Sequence, residues 1–315
     1  MAGKSILKSL LTRNIAGAGI VALINHSINS SAASKNLLKP EDGSYYHWRY
    51  GKVFYKKRGT GSKKLLLIHN IDPASCRIEW NRMEKYLLND YTVYSLDLPG
   101  CGCSDKPSLT YTLYFYSTLI RDFVKDVIAA PCEAAGSGLS GFAAASAVHE
   151  TKGLITHVYM IGTKKAEDFM TVPDALCRAI RYIVSAPIIG TAVFNYYASK
   201  KNITFRLEEK MFNNPFKLQE TLTDSLYEGA HRGKGMGRNL LASLLGHYIS
   251  FPVAGLLKKM EIPITLISGD NDPQINKICK SYLRINPKIE IIKIKETKLV
   301  PHMESPKETA QVFLR

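Results

Sequence analysis

Four short segments of this 315-residue chain carry residue types that enzymes use for acid–base or nucleophilic chemistry. Histidine, carboxylate and serine side chains all occur in them. In chain order the segments are His69 with Asn70, "GSGLSG" from Gly136 to Gly141, "GDNDP" with Asp272, and His302. Each of the first three follows a run of apolar residues that is typical of a buried strand, so the fold decides whether they meet.

Other kinds of chemistry are not favoured by these residues. Cys101 and Cys103 are close together, but no second Cys or His pair stands at ligand spacing, so we expect no metal site. The "GSGLSG" segment lacks the G-x-x-x-x-G-K-[ST] pattern of a phosphate loop and the third glycine of a dinucleotide fingerprint. We therefore expect no cofactor.

The elements that must position these segments alternate between strands and helices. An aromatic and polar alternation from Tyr45 to Lys57 predicts a β-hairpin. Buried strands are predicted at "KKLLLIH", "YTVYSLDL", "CEAAG", "LITHVYMIG" and "IPITLISG", and helices at 77–88 and 113–129. This order predicts an α/β fold with a mostly parallel sheet and helices on both faces.

The interval 163–260 interrupts the alternation, because it contains helical patterns and no convincing strand. We interpret it as a helical cap inserted before the late strands. His69 and the cap aromatics Tyr182, Phe194 and Tyr197 are candidates for lining a pocket, although packing between cap and core is the favoured role of the aromatics. The predicted organisation is a basic N-terminal segment (1–44), a first core part (45–162), the cap (163–260) and a second core part (261–315).

From Tyr45 to the C-terminus the chain resembles the α/β-hydrolase superfamily, in its capped form. The resemblance rests on the "DLPGCGCSDKP" turn (97–107), on the order of the four segments, and on the contexts "SGDNDP" and "VPHMESP". It implies a nucleophile on a strained strand-to-helix elbow of pattern G-x-S-x-G, followed in the chain by an acid and a histidine.

The elbow departs from that pattern. Gly138 stands at the nucleophile position, and Ser140 stands where the second glycine belongs. The resemblance assigns the general base to His302 and its carboxylate partner to Asp272. It assigns the oxyanion donors to the backbone N–H of Leu139 and to one near Asn70 or Ile71, where Asn70 replaces the usual glycine.

Three functions remain open. The favoured one is a catalytically degenerate protein that binds a hydrophobic or acyl-like small molecule, or a partner, in the cap. The second is an ester or lipid hydrolase that uses a displaced Ser140 or Ser137. The third is an enzyme in which His302 and Asp272 act as a general-base pair without a covalent nucleophile.

The net charge of +15 belongs mainly to the N-terminal part, because residues 1–64 hold 12 Lys and Arg against two acidic residues. No basic stripe or nucleic-acid-binding motif appears in the rest, so we expect no nucleic-acid partner. Lys4, Lys8 and Arg13 precede the apolar run "IAGAGIVALI", which is short for a spanning helix. We expect attachment to an anionic membrane at the cytoplasmic face; export by a signal peptide or signal anchor is the alternative.

Overall fold

The computed structural model describes residues 2–151 and 153–315, and the side chains from residue 17 onward except residue 152. An eight-stranded sheet in the order β1-β2-β4-β3-β5-β6-β7-β8 forms its centre. β1 and β2 form an antiparallel hairpin, β2 is antiparallel to β4, and all other pairs are parallel. The strands are β1 (Ser44–Trp48), β2 (Gly51–Arg58), β3 (Lys63–Ile68), β4 (Tyr91–Leu96), β5 (Cys132–Ser137), β6 (Ile155–Ile161), β7 (Ile264–Gly269) and β8 (Glu290–Ile294).

The parallel strands are continuous apolar runs because helices cover both faces of the sheet. Every residue of β4 and β7 is buried, as are the last four residues of β3. The predicted α/β fold with a mostly parallel sheet is confirmed. The hairpin observed at β1 and β2 spans the aromatic and polar alternation that predicts it.

Helices pack on both sides of the sheet and fill the connections between strands. Asp174 and Ser199 each cap a helix by accepting a backbone N–H three residues later. The helices are α1 (Ala2–Ala32), α2 (Asn81–Glu84), α3 (Leu113–Phe123), α4 (Ser140–Val148), α5 (Ala175–Ser185), α6 (Ile189–Tyr197), α7 (Lys200–Phe205), α8 (Glu220–His231), α9 (Arg238–Leu245), α10 (Val253–Lys258), α11 (Ile275–Ile285), α12 (Pro301–Glu304) and α13 (Pro306–Phe313).

The connection between β6 and β7 contains helices α5 to α10 and no strand in the described residues. Part of this connection has its own apolar core, in which Phe194, Leu207 and Leu226 are buried together with Met303 from α12. A π-helical turn, Arg206–Met211, continues α7 and brings Arg206 and Met211 over the carboxyl end of the sheet.

The second half of α1 is docked onto the cap by asparagines. Asn25 Nδ2 donates to the backbone oxygen of Ile188 at 3.1 Å, and Asn195 Nδ2 donates to Asn25 Oδ1 at 2.9 Å. Asn29 Nδ2 donates to Asn195 Oδ1 at 3.3 Å, and all three asparagines are buried. The side chains of Lys4, Lys8 and Arg13, on which the membrane prediction depends, lie outside the described residues.

Among the described residues, no single helix combines the length and apolar character needed to cross a membrane. α5 and α6 meet that requirement together, but they are bent by 93° relative to each other.

Candidate functional site

The turn between β5 and α4 has the geometry of a nucleophile elbow but carries a glycine at its tip. Gly138 has φ +56, in the left-handed region, and donates its N–H to Ile161 O at 2.8 Å. Most side chains are disfavoured at such an angle. Glycine adopts this angle readily. The turn is therefore retained, but it carries no side chain that could act as a nucleophile.

The side chain of Asn70 occupies the space above Gly138. A Cβ built on Gly138 would overlap Asn70 Oδ1 and lie 2.8 Å from Asn70 Cγ. The same Oδ1 accepts the N–H of Leu139 at 3.1 Å. The resemblance assigns this Leu139 N–H to oxyanion binding. Here it already donates a hydrogen bond to the Asn70 side chain.

The two neighbouring serines, Ser137 and Ser140, are both buried within the turn. Ser140 Oγ lies 2.9 Å from Ile68 O and 2.8 Å from Ser137 O, so its hydrogen is directed at backbone carbonyls inside the turn. Ser137 is buried at the end of β5, where it pairs with Ile161 of β6. Within the described residues, neither serine is hydrogen-bonded to His302.

His302 lies in the short helix α12 and is completely buried. Its ring packs on Trp80, with centroids 4.4 Å apart. Its Nε2 lies 3.9 Å from Glu79 Oε2, and neither ring nitrogen has a hydrogen-bond partner among the described residues. The carboxylate beside His302 is therefore Glu79, which no sequence motif identifies.

Asp272 is buried on the loop after β7 but serves the backbone there. Its Oδ1 accepts the N–H of Gln274 at 2.8 Å, and its carbonyl accepts the N–H of Ile275 at the start of α11. No hydrogen bond joins it to His302 in the described part of the chain. The pairing of Asp272 with His302 is not formed here, because the Asp272 carboxylate is directed into its own turn.

The loop before α12 approaches the strand ends through its backbone. Lys298 O accepts the N–H of Gly269 at 3.0 Å. Leu299 O lies where a Cβ on Gly162 would be, and Gly162 has φ +62. The Leu299 side chain packs against the cap core. The apolar residue Leu299 therefore lies next to the carboxyl end of β6, with its side chain packed against the cap.

Two predicted site residues that follow β3, His69 and Ile71, are buried. His69 Nε2 accepts the N–H of Leu98 at 2.9 Å, so its Nδ1 carries the hydrogen and donates to Asn70 O at 2.8 Å. His69 thereby links the loop after β3 to the "DLPGCGCSDKP" turn, and it is not among the residues that line the cavity beside Asn70. Ile71 is buried in the main core.

A cavity of about 40 Å³ separates Asn70 from the cap. Liquid water occupies about 30 Å³ per molecule, whereas ligand pockets hold about 300 Å³ or more. The cavity is lined by Asn70, Asp72, Glu79, Arg206, Met211 and Met303, among others. The cavity between Asn70 and the cap is therefore too small for an acyl chain in this structure.

Polar contacts close the cap over this cavity. The Tyr197 hydroxyl donates to Asp72 Oδ2, and the Arg206 guanidinium lies 4.1 Å from the Tyr197 ring centroid. Burial, followed by the Asp72 carboxylate, raises the pKa of Tyr197 well above its ordinary value, so the hydroxyl stays protonated. Tyr197 therefore acts as a hydrogen-bonded tie between cap and core.

The Glu304 carboxylate provides a second tie. It accepts the N–H groups of Asn213 at 3.0 Å, Asn214 at 2.7 Å and Lys298 at 3.1 Å. Asn213 and Asn214 belong to the cap, and Glu304 is buried in α12. A single carboxylate thus joins the cap to the C-terminal part of the core.

The other pocket candidates lie away from the cavity. Tyr182 is 80% exposed on the outer face of α5, so its assignment to a pocket is wrong in this structure. Phe194 is fully buried in the cap core.

Burial raises the pKa of the Cys103 thiol to about 12, which keeps it a thiol. Within the described residues, no group of three or more His, Cys, Asp or Glu side chains is arranged to hold a metal ion.

Sequence reasoning missed Glu79, Asp72 and Arg206, which are far apart in the chain and belong to no recognisable motif. It treated Asn70 as a backbone donor, whereas its side chain is the decisive group. The signal was present in the sequence, because a side chain replaces the glycine that usually follows such a histidine.

Comparisons with known proteins bear on the fold and the family. The sequence profile described as "Alpha/beta hydrolase family" matches residues 65–312. No curated protein sequence matches the chain. Among solved structures, Cfl2 from Burkholderia cenocepacia superposes with a TM-score of 0.70 at 14% identity, covering 86% of this chain and 94% of that one.

Two further solved structures are similar. A serine hydrolase involved in carbazole degradation has a TM-score of 0.70 at 15% identity, covering 86% of this chain and 96% of that one. A bacterial membrane phospholipase A has a TM-score of 0.65 at 21% identity and covers 99% of this chain and 97% of that one. The strand order, the elbow and the profile match together show that the chain belongs to the alpha/beta hydrolase family.

Proposed function

We propose that this chain is a non-hydrolytic member of the family that acts as a binding protein at an anionic membrane surface. The observation that carries the loss of catalysis is the position of Asn70. Its carboxamide fills the space above Gly138 and accepts the Leu139 N–H, so nucleophile and oxyanion donor are both lost at once. In subtilisin, removing the nucleophile alone costs about 10⁶ in kcat.

The two catalytic alternatives have weaker support. A displaced-serine hydrolase requires Ser140 to leave two backbone acceptors and reach a base that does not contact it. A general-base enzyme without a nucleophile is favoured by one observation, which is the proximity of His302 to Glu79 beside the small cavity. It also requires the cap to open, because the cavity excludes substrates of ordinary size.

A probe experiment separates these possibilities. The native chain, Ser140→Ala and His302→Ala would be treated with a fluorophosphonate probe and with esters of short and medium acyl chains. We expect no labelling and no turnover in any of them. Labelling of the native chain that disappears in Ser140→Ala would establish the displaced serine. Turnover without labelling that disappears in His302→Ala would establish the general base.

The membrane part of the proposal rests first on α1. About 35 Å of this helix precedes Asn25, at 1.5 Å per residue, and Asn25 is the first buried residue on its described face. Ile20, Leu23 and Ile24 are exposed just before the docked part. The sequence adds Lys4, Lys8 and Arg13 further toward the N-terminus. A basic helix with exposed apolar residues suits the interface of an anionic bilayer.

The cap supplies a second apolar area beside this helix. Six exposed side chains form what we call the α5–α6 surface: Leu176, Tyr182, Ile183, Ile189, Val193 and Tyr196. Asn25 of α1 is bonded to Ile188 in the turn between α5 and α6, which places this surface next to the exposed part of α1. Residues 175–197 contain Arg178 and Arg181 and no acidic residue, so the charge also suits anionic lipid.

One comparison and the size of the elbow cavity bear on this proposal. The membrane phospholipase A superposes over 99% of this chain, α1 included. An enclosed acyl-like ligand in the cap, predicted from the sequence, stays a prediction, since the cavity near the elbow is small. The bilayer is the hydrophobic partner that the exposed residues favour.

Sedimentation with vesicles tests the attachment. We expect binding to vesicles that contain phosphatidylglycerol and much weaker binding to phosphatidylcholine alone. Exchanging Lys4, Lys8 and Arg13 for Gln should weaken it, as should Tyr182→Ser with Ile189→Ser. Phe216→Ser is the matched control, because Phe216 is 96% exposed on a different part of the cap. Unchanged binding after both sets of exchanges would contradict the proposal, and N-terminal sequencing of the cellular protein would reveal export with cleavage.

A further inference from the structure

A second cavity, of about 430 Å³, lies between α1 and the body of the protein. Its walls are the end of α1, residues 102–106 of the turn after β4, and residues 231–234 at the end of α8. Its volume falls in the range of about 300 to 1,000 Å³ that is typical of ligand sites. It is separate from the elbow and shares no lining residue with the small cavity there.

A buried cation lines this cavity. Lys106 is only 7% exposed, and its Nζ donates to Gly102 O at 2.8 Å. In the described part of the chain no carboxylate lies within 4.0 Å of it. Burial lowers the pKa of Lys106 below its ordinary value. A buried ammonium group is costly unless an anion accompanies it.

The remaining charged groups of the cavity are mostly basic. Arg232 is paired with Glu228 at 3.0 Å, and Lys234 is exposed at the rim without an ion pair among the described residues. The single acidic group is Asp105, whose Oδ2 accepts the N–H of Lys52 at 2.7 Å. Gly233 and Lys234 both have positive φ, and a Cβ on Gly233 would lie 3.0 Å from Lys106 Cδ. The loop therefore packs directly on the buried lysine.

His231 adds a requirement for a hydrogen-bond donor. It is 1% exposed, and its Nδ1 lies 2.8 Å from Tyr227 O, to which it donates. The Nε2 atom is then an acceptor, and it has no partner among the described residues. An anion alone would not satisfy it, whereas a hydroxyl group would.

We propose that this cavity binds a phosphate ester that carries a free hydroxyl group, of which glycerol phosphate is the simplest. The phosphate would be bound by Lys106 and Lys234, and the hydroxyl would donate to Nε2 of His231. The same chemistry occurs in free glycerol phosphate and in the headgroup of phosphatidylglycerol. The proposal does not depend on the loss of catalysis, because none of these residues belongs to the elbow.

Calorimetric titration of the full chain with glycerol 1-phosphate tests it. We expect binding by the native chain and none of glycerol. Lys106→Met, which retains much of the apolar stem, should weaken binding about tenfold or more, as expected for loss of a charge-assisted contact. His231→Phe should weaken binding of glycerol phosphate more than binding of inorganic phosphate. Lys307→Ala, at an exposed site on α13, should have no effect.

Dihexanoyl phosphatidylglycerol, used below its micellar concentration, distinguishes the two sources without a membrane. Tighter binding of this lipid than of glycerol phosphate would identify the headgroup as the ligand, and the reverse would identify the free ester.

If Lys106→Met does not fold, as judged by circular dichroism, exposed Lys234→Ala takes its place with a smaller expected loss. Failure of the native chain to bind either compound, or an equal loss in Lys307→Ala, would overturn the proposal.

Discussion

The Oδ1 atom of Asn70 lies 3.1 Å from the backbone nitrogen of Leu139 and accepts its hydrogen. Oxyanion stabilisation requires that such an N–H be directed at the substrate and unpaired until the reaction. Here the donor has an internal partner, and the same carboxamide covers the place where a nucleophile would project. The Asn70 side chain therefore changes two features of the elbow that the resemblance implies, the free N–H of Leu139 and the open space above residue 138.

Gly138→Ala should lower the free energy of unfolding by about 1–3 kcal/mol or more, since it combines backbone strain with a clash. The added Cβ would meet Asn70. The double variant Asn70→Gly with Gly138→Ala should recover the part of the loss that comes from the clash. Urea denaturation of the native chain, Gly138→Ala, Asn70→Gly and the double variant measures these losses.

Gly255→Ala is the matched control, because a Cβ there meets nothing within 4 Å and the residue lies in α10. We expect it to be neutral or stabilising by about 0.5–1 kcal/mol. Equal destabilisation by Gly138→Ala with and without Asn70 would show that Asn70 does not fill this space.

Glu304→Gln should loosen the cap at residues 213–214. The amide offers one acceptor oxygen in place of two, and each hydrogen bond to a charged group contributes about 1.5–3 kcal/mol. Hydrogen exchange at the amides of Asn213 and Asn214 should become faster, and stability should fall. Glu308→Gln, at an exposed position on α13, should change neither. Unchanged protection of both amides would contradict the role given to Glu304.

Asn25→Ala should release the docked half of α1 from the cap. The exchange leaves the buried Asn195 amide and the Ile188 carbonyl without their partners, at a cost of about 1–3 kcal/mol. Limited proteolysis near residues 25–35 should become faster. The adjacent exposed His26→Ala serves as the control, and equal proteolysis of both variants would refute the docking role.

Acidification below about pH 6.5 should destabilise the fold in a chloride buffer without phosphate. Burial lowers the pKa of His231 below its ordinary value of 6.5, so the folded state takes up this proton less readily than the unfolded state. The stabilising contribution is complete above pH 6.5 and is lost as the pH falls. His231→Phe should flatten the dependence of the denaturation midpoint on pH, and exposed His47→Phe should not. An unaltered slope in His231→Phe would contradict this assignment.

Much of the fold was predictable because its strands are local patterns. The apolar runs at β3, β4, β6 and β7 reflect burial on both faces of a parallel sheet, and this is visible in any one strand alone. β8 was missed because four of its five residues are exposed or only partly buried. α8 was missed because its buried face includes polar residues such as Glu228, whose carboxylate accepts the N–H of Leu37.

The site was less predictable because it depends on side-chain direction. Asp272 and His302 follow each other in a suitable order in the sequence. In the structure, however, the Asp272 carboxylate accepts a hydrogen bond within its own turn, and the His302 ring packs on Trp80. Glu79, which lies beside His302, precedes it by more than 200 residues in the chain. No local pattern encodes that contact, so only the three-dimensional packing reveals it.

Glycine adopts the left-handed conformation of residue 138 at almost no conformational cost in the folded state. A serine nucleophile at the same angles would store about 1–3 kcal/mol of strain, which an enzyme must offset elsewhere. A chain without that strain begins further above the threshold of stability. Its surface and cap can therefore accumulate more substitutions before folding fails.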